Sequence, residues 1–119
     1  MDIVFYDQNG TAVAYSEDRI HIYLYNGDPV AYFDRDSIYS FSGTHLGWYK
    51  DGWILDHDGN AVFFTEHAQG GSLKPLKDLI PLKELKDQMP MKEIKEPKPL
   101  RPIKSLNWTQ LSIEDFFLL

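Results

Sequence analysis

Between Ile3 and His67 the chain alternates short apolar runs, rich in Val, Ile, Tyr, Phe and Trp, with polar turn residues about every eight positions. Four of those turns carry a glycine with the same surroundings: Asn9-Gly10, Asn26-Gly27, Ser42-Gly43 and Asp58-Gly59, spaced 17, 16 and 16 residues apart. Three residues after each glycine stand Val13, Val30, Leu46 and Val62; five after it stand Tyr15, Tyr32, Trp48 and Phe64. Five before it stand Phe5, Ile22, Ile38 and Ile54. Agreement at several offsets in four copies marks an internal repeat. Further turns at Glu17-Asp18, Arg35-Asp36 and Asp51-Gly52 split each repeat into two runs, which predicts eight strands as four antiparallel hairpins. Asn-Gly and Asp-Gly suit the positive φ of a type I′ two-residue hairpin turn.

In such a hairpin the residue four before the glycine faces the one three after it. Side-chain parity then puts Tyr6, Tyr23, Tyr39 and Leu55 on one face, with the Val/Leu set and the Tyr/Trp/Phe set. The other face pairs Phe5, Ile22, Ile38 and Ile54 with Ala14, Ala31, Gly47 and Phe63. Large opposite small allows close approach, except at Phe63. Both faces are apolar, so something must cover the second.

After Gly70-Gly71-Ser72 the period changes to three: LKP LKD LIP LKE LKD QMP MKE IKE PKP LRP IKS. A strict three-residue period walks an apolar stripe around an α-helix, and prolines at 75, 81, 90, 97, 99 and 102 forbid a long one. Polyproline II, with three residues per turn, gives one apolar edge, one lysine edge and one Pro/acid edge. A turn of helix is allowed around Leu82–Met89. At ~3.1 Å per residue, these 33 residues reach about 100 Å, so the arm bends, wraps its own body or crosses to another subunit. A triplet rise of ~9.3 Å is close to two strand spacings, which suggests that Leu73, Leu76, Leu79 and Leu82 each drop between adjacent hairpins and roof the second face. A flexible linker is the plainer alternative, but it needs no Leu or Ile at every third position. Pro99-Leu100-Arg101-Pro102 also fits a short PxxP ligand.

The tail begins at Trp108, and Ser112-Ile113-Glu114-Asp115 has capping-box spacing for a short helix whose Phe116-Phe117-Leu118-Leu119 end would dock on the body or a partner subunit. The expected fold is all-β: four petal-like hairpins in an antiparallel meander over residues 1–68, a Gly hinge and polyproline II-like arm over 69–107, and a docking helix over 108–119. Gly-marked hairpins with VAY and GWY signatures, a GGS hinge, an L-K/R-P arm and a SLxWxxLSIEDFF end resemble the bacterial four-fold beta flower proteins, over nearly the whole chain. The resemblance implies four hairpins as petals and brings no catalytic residues.

Charge sharpens this picture. The net charge is −6, yet residues 1–67 carry three basic against eleven acidic side chains, while 68–107 carry nine basic against five acidic. A basic extension on an acidic body is expected to lie on that body or on a neighbour's. The acidic body disfavours nucleic acid. There is no cysteine, no signal-peptide pattern at the N-terminus and no apolar run of membrane-spanning length, so a soluble cytoplasmic protein is expected.

Candidate chemistry is sparse. His21, His45, His57 and His67 occupy unrelated offsets in the repeats, so no metal site or other cofactor is expected. Asp56-His57-Asp58-Gly59-Asn60 opens like a calcium loop but has His67 at position 12. No serine or threonine has an activating motif, which argues against catalysis. The best binding candidates are Tyr15, Tyr32, Trp48, Trp53 and Phe64; the GWYKDGW stretch is similar in outline to choline- and cell-wall-binding hairpins, where aromatics cage a quaternary ammonium or stack on sugar. The expected function is a non-enzymatic interaction or scaffold module, self-associating through the arm or tail, with ligand binding by the aromatic set as the alternative and an unrecognised enzyme as the third reading.

Overall fold

The computed structural model describes residues 2–119. Its eight strands are β1 (Ile3–Tyr6), β2 (Ala12–Ser16), β3 (His21–Leu24), β4 (Pro29–Asp34), β5 (Ser37–Tyr39), β6 (His45–Lys50), β7 (Trp53–Leu55) and β8 (Ala61–Phe64). They pair in chain order, and Tyr6↔Phe64 joins β1 to β8, so the meander closes into a barrel. Closure leaves no sheet edge, and it turns the second face of the hairpins into an interior.

The large-to-small pairs stand as expected: Phe5↔Ala14, Ile22↔Ala31, Ile38↔Gly47 and Ile54↔Phe63 face one another inside the barrel. The Val/Leu set does not stay on the tyrosine face. In all four petals the register shifts one residue nearer the turn, so that Tyr6 pairs with Ala12, Tyr23 with Pro29, Tyr39 with His45 and Leu55 with Ala61. The bulge so formed turns Val13, Val30, Leu46 and Val62 toward the interior core. Its cause is the turn. Gly10 N–H donates to Asp7 O at 3.0 Å, and Gly10 is left-handed at φ +81 while Asn9 is not. This is a three-residue loop ending on a left-handed glycine, not the expected type I′ pair. Asp51-Gly52, with φ 52 and 85, does adopt the two-residue form.

The terminal helix α1 (Ile113–Phe117) plugs the barrel. Phe116 and Phe117 join the interior core, with Phe117 stacked on Phe63 at 5.8 Å and Phe116 meeting it edge-on at 6.1 Å. Gly47 keeps the opposing wall thin: a Cβ there would lie 3.5 Å from the Phe116 ring and 2.0 Å from Leu55 O. Ser112 caps the helix by accepting the Asp115 N–H at 3.0 Å. Ser112→Ala is expected to lower the unfolding free energy by about 1 kcal/mol in urea titration; an unchanged midpoint would show the cap to be idle. Leu118, expected to dock, points to solvent.

Leu73 to Lys104 carries neither helix nor strand, so the allowed helical turn near Leu82–Met89 does not form. The arm encircles its own barrel once. At the meeting point Ser72 Oγ donates to Asn107 O and Trp108 Nε1 to Leu73 O, each at 3.1 Å. The molecule measures 35 × 35 × 24 Å, and a circle of that width has a perimeter of about 110 Å, close to the ~100 Å reach of an extended arm.

Candidate functional site

The girdle is registered on the petals every nine residues. Asp78, Asp87, Glu96 and Ser105 each donate a backbone N–H to the carbonyl of a turn glycine, Gly10, Gly27, Gly43 and Gly59, at 2.8–3.0 Å. Glu84 and Glu93 donate to Tyr25 and Phe41 in the second and third petals. Pro75 and Pro102, nine residues before and after them, have no N–H to give. Three triplets therefore serve each hairpin, not the one expected, because the ribbon runs outside a closed barrel where the perimeter is longer.

These hydrogen bonds set which edge of the ribbon faces inward. Third-position amides seat on the turns, and second-position lysines reach along the outer face of the strands. Lys83 lies over Tyr15 and Lys92 over Tyr32, each 4.6 Å from the ring centre; Lys77, Lys86 and Lys95 lie 5.5–5.8 Å over Tyr6, Tyr23 and Tyr39. The amine ends then meet the acids of the body. Lys83 bonds Asp2 at 2.6 Å and Glu17 at 2.7 Å, and Lys86 shares Glu17. Lys95 bonds Asp34 at 2.8 Å, Arg101 bonds Asp36 at 3.0 Å and Lys104 reaches Asp51 at 3.4 Å. The lysine hydrogen bonds hold the Glu17 and Asp34 carboxyls below their ordinary range, and the carboxylate bonds raise Lys83 and Lys95. The basic extension thus lies on its own acidic body.

The Leu edge is the one left outside. Leu73, Leu76, Leu79 and Leu82, expected to roof an apolar face, are 91–94% exposed. The face they were to cover is the barrel interior, already filled from all eight strands and plugged by Phe116.

The five candidate aromatics do not form one site. Tyr15, Tyr32, Trp48 and Phe64 each sit at a different junction between petals, paired with Tyr23, Tyr39, Leu55 and Tyr6 of the next. All four are buried, as is Trp53, whose Nε1 donates to Gln69 O at 3.1 Å and whose ring meets Trp108 at 5.7 Å. Over Tyr15 and Tyr32 the place of a caged cation is taken by the protein's own lysines. Tyr32 also lines a cleft of about 670 Å³ with Phe33, Asp34, Lys92 and Lys95.

One polar cluster was not legible as such. His45 occupies the position held by Ala12, Pro29 and Ala61 in the other petals, and His57 the position held by Gln8, Tyr25 and Phe41. His45 is buried, with Nδ1 3.0 Å from His57 Nε2 and Nε2 3.1 Å from the buried Ser37 Oγ. Its ring packs on Trp48 at 4.8 Å and edge-on to Tyr39 at 5.1 Å. Its backbone N–H donates to Glu96 of the arm at 2.7 Å. Burial, with His57 beside it, pushes the imidazole down to about 4. A signal for the pair was the 12-residue offset between two histidines that replace small and aromatic residues of the repeat. Ser37 has no exposure through which a substrate could reach it.

Two further cavities bear on the candidate chemistry. One of about 830 Å³ opens between the fourth turn and the tail, lined by Asp56, His57, Asp58, Trp108 and Gln110 among others. Asp56 Oδ1 accepts the Asp58 and Asn60 amides, capping the turn. The other, about 320 Å³, lies beside the β1–β8 junction against Tyr6, Tyr25 and Ile80. Burial raises the Tyr25 hydroxyl to about 12, and it has no hydrogen-bond partner. No group of three or more His, Asp or Glu side chains placed to hold a metal occurs among the described residues. No helix is long and apolar enough to cross a membrane.

A closed barrel of four repeated petals, bound by a strap whose every basic side chain turns inward, is the architecture of a β-flower. The model of the 4-fold beta flower protein family matches residues 3–117, and the chain belongs to that family. No curated protein and no solved structure matches it.

Proposed function

We propose that the chain is a non-enzymatic interaction module, working in the cytoplasm as its lack of cysteine suggests, and that its docking surface is the outer edge of the girdle. The observation that supports this is the row of first-position residues from Leu73 to Ile103. Leu85, Met91, Ile94, Leu100 and Ile103 are as exposed as the four leucines before them, at 88–96%. Scattered exposed leucines need no explanation, but a periodic row around a molecule, interrupted only at Gln88 and Pro97, does. The strap does not need these side chains to hold, since amides and lysines seat it. Self-association was expected because the arm outreaches one body; that arm lies on its own barrel, so a second copy is no longer required to receive it.

A double variant tests the reading. Leu82→Ser with Leu85→Ser is expected to leave the unfolding free energy from urea titration within about 0.5 kcal/mol of the parent, because neither side chain packs on the barrel. The same variant should lower binding of an apolar dye and retention on a phenyl resin. A stability loss well above that limit would make these leucines structural and end the proposal.

A further inference from the structure

The girdle offers two kinds of side chain to the outside, and neither is basic. Lys74 donates to Ala68 O, Lys77 and Lys92 lie over tyrosines, and the other arm cations pair with acids of the barrel. The third-position carboxylates differ. Asp78, Glu84, Asp87 and Glu93 are exposed and form no ion pair among the described residues, although their backbone amides hold the strap in place. At the second petal the Asp28 carboxyl stands beside Asp87 and raises it above the usual range. Two acids left facing each other, with nine cations on the same strap turned away, form an electrostatic vacancy on the outer surface.

We infer that the girdle's partner is a protein segment carrying apolar and basic side chains together, its aliphatic groups meeting the leucine row and its cations meeting the four free carboxylates. The inference rests on the interaction reading above and adds the partner's chemistry. Charge decides between occupants. A second copy would set the same leucines and the same acids against each other, on chains of net charge −6. An anionic lipid surface would meet the same repulsion. A lysine- or arginine-bearing segment meets neither, and gains registry from acids that recur with the petals.

The test uses the full chain and two fluorescein-labelled synthetic helical peptides of about 20 residues with identical leucine positions, one bearing lysine and the other glutamate at the polar positions. The lysine peptide is expected to bind at least about tenfold tighter, and raising salt from 0.05 to 0.5 M should weaken it by a similar factor. The isosteric set Asp78→Asn, Glu84→Gln, Asp87→Asn and Glu93→Gln should erase the preference while keeping the urea midpoint. Leu82→Ser with Leu85→Ser should weaken both peptides. Sedimentation of the chain alone should show a monomer, and vesicles of phosphatidylcholine with phosphatidylserine should not retain it.

Equal binding of the two peptides, a preference that survives the amide substitutions, a tight self-associated species, or retention by the anionic vesicles overturns the basic partner and leaves the docking edge standing. Binding of neither peptide, or lysine-peptide binding unaffected by the two serines, overturns both.

Discussion

Gly27→Ala is expected to lower the unfolding free energy by about 3–4 kcal/mol, combining left-handed strain with loss of the strap's seat on the second petal. Gly27 has φ +98, and a Cβ built there would stand 2.0 Å from Leu85 O and 3.3 Å from Lys86 Cα. Both atoms are backbone, so no side-chain rotation relieves the clash. The ribbon must lift, and with it go the Asp87 N–H bond to Gly27 O and the position of Lys86 over Tyr23 and beside Glu17. Gly70→Ala supplies the control. That glycine is also left-handed, at φ +63, but its nearest neighbour is the flexible Lys104 Nζ at 3.7 Å. It should cost only the conformational strain, about 1–2 kcal/mol. Urea titration of both variants, with limited proteolysis of the arm, checks the difference. Equal costs would mean that the strap does not press on the turn.

That turn also shows how far the chain could be read beforehand. The four glycines, the strands between them and the pairing of Phe5 with Ala14 or Ile38 with Gly47 follow from repeat offsets and side-chain parity, and the structure has them so. Parity failed at Val13, Val30, Leu46 and Val62, because a one-residue bulge inverts facing without any mark in composition. Only the type of turn decides it, and Asn-Gly serves both types.

The arm posed a different problem, a conflict between two valid signals. Hydrophobicity assigned the leucine edge inward; the charge asymmetry, which sets a basic arm against an acidic body, favours the lysine edge. Electrostatics and backbone hydrogen bonds prevailed because the apolar face in need of cover had vanished into a closed barrel. What remained outside was a wall of tyrosines with acids at its ends, a surface that suits a lysine stem and its ammonium. The nine-residue register was present in the recurrence of Pro81, Pro90 and Pro99, but a period of nine hides inside a period of three. The buried histidine pair was hidden for another reason: each residue is an ordinary substitution within its own petal, and only the curvature of the barrel brings offsets two before one glycine and two after the preceding one together.

Acidification is expected to weaken the fold well above the pH at which its carboxylates titrate, through His45. The imidazole falls to about 4 in the folded chain, against an ordinary value near 6.5. A depressed histidine binds its proton more readily when unfolded, so stability rises with pH and is lost as pH falls from about 6.5 toward 4. Two and a half pH units correspond to about 3 kcal/mol in all, of which about 2 should disappear between pH 7 and 4.5. Glu17, Asp18 and Asp34 are carboxylates lowered by hydrogen bonds, so their contribution is present above the ordinary carboxylate range and disappears only below about 4.5. The loss above that range belongs to the imidazole, because Asp87, the carboxyl that Asp28 raises, takes its proton more readily when folded and works in the opposite direction. Around the imidazole stand His57, Glu96 and Lys98 of the arm and Asp36 of the barrel, with Ser37 Oγ on its far nitrogen. Protonation would place a charge among Tyr39, Trp48 and His57, where the Glu96 carboxylate is already committed to the His45 amide. Urea midpoints at intervals from pH 7 to 4.5 test this against His45→Gln, which keeps hydrogen-bonding capacity without a titrating ring. The parent should lose stability across that window and the variant should run flat, whatever its absolute stability; parallel profiles would remove His45 as the cause.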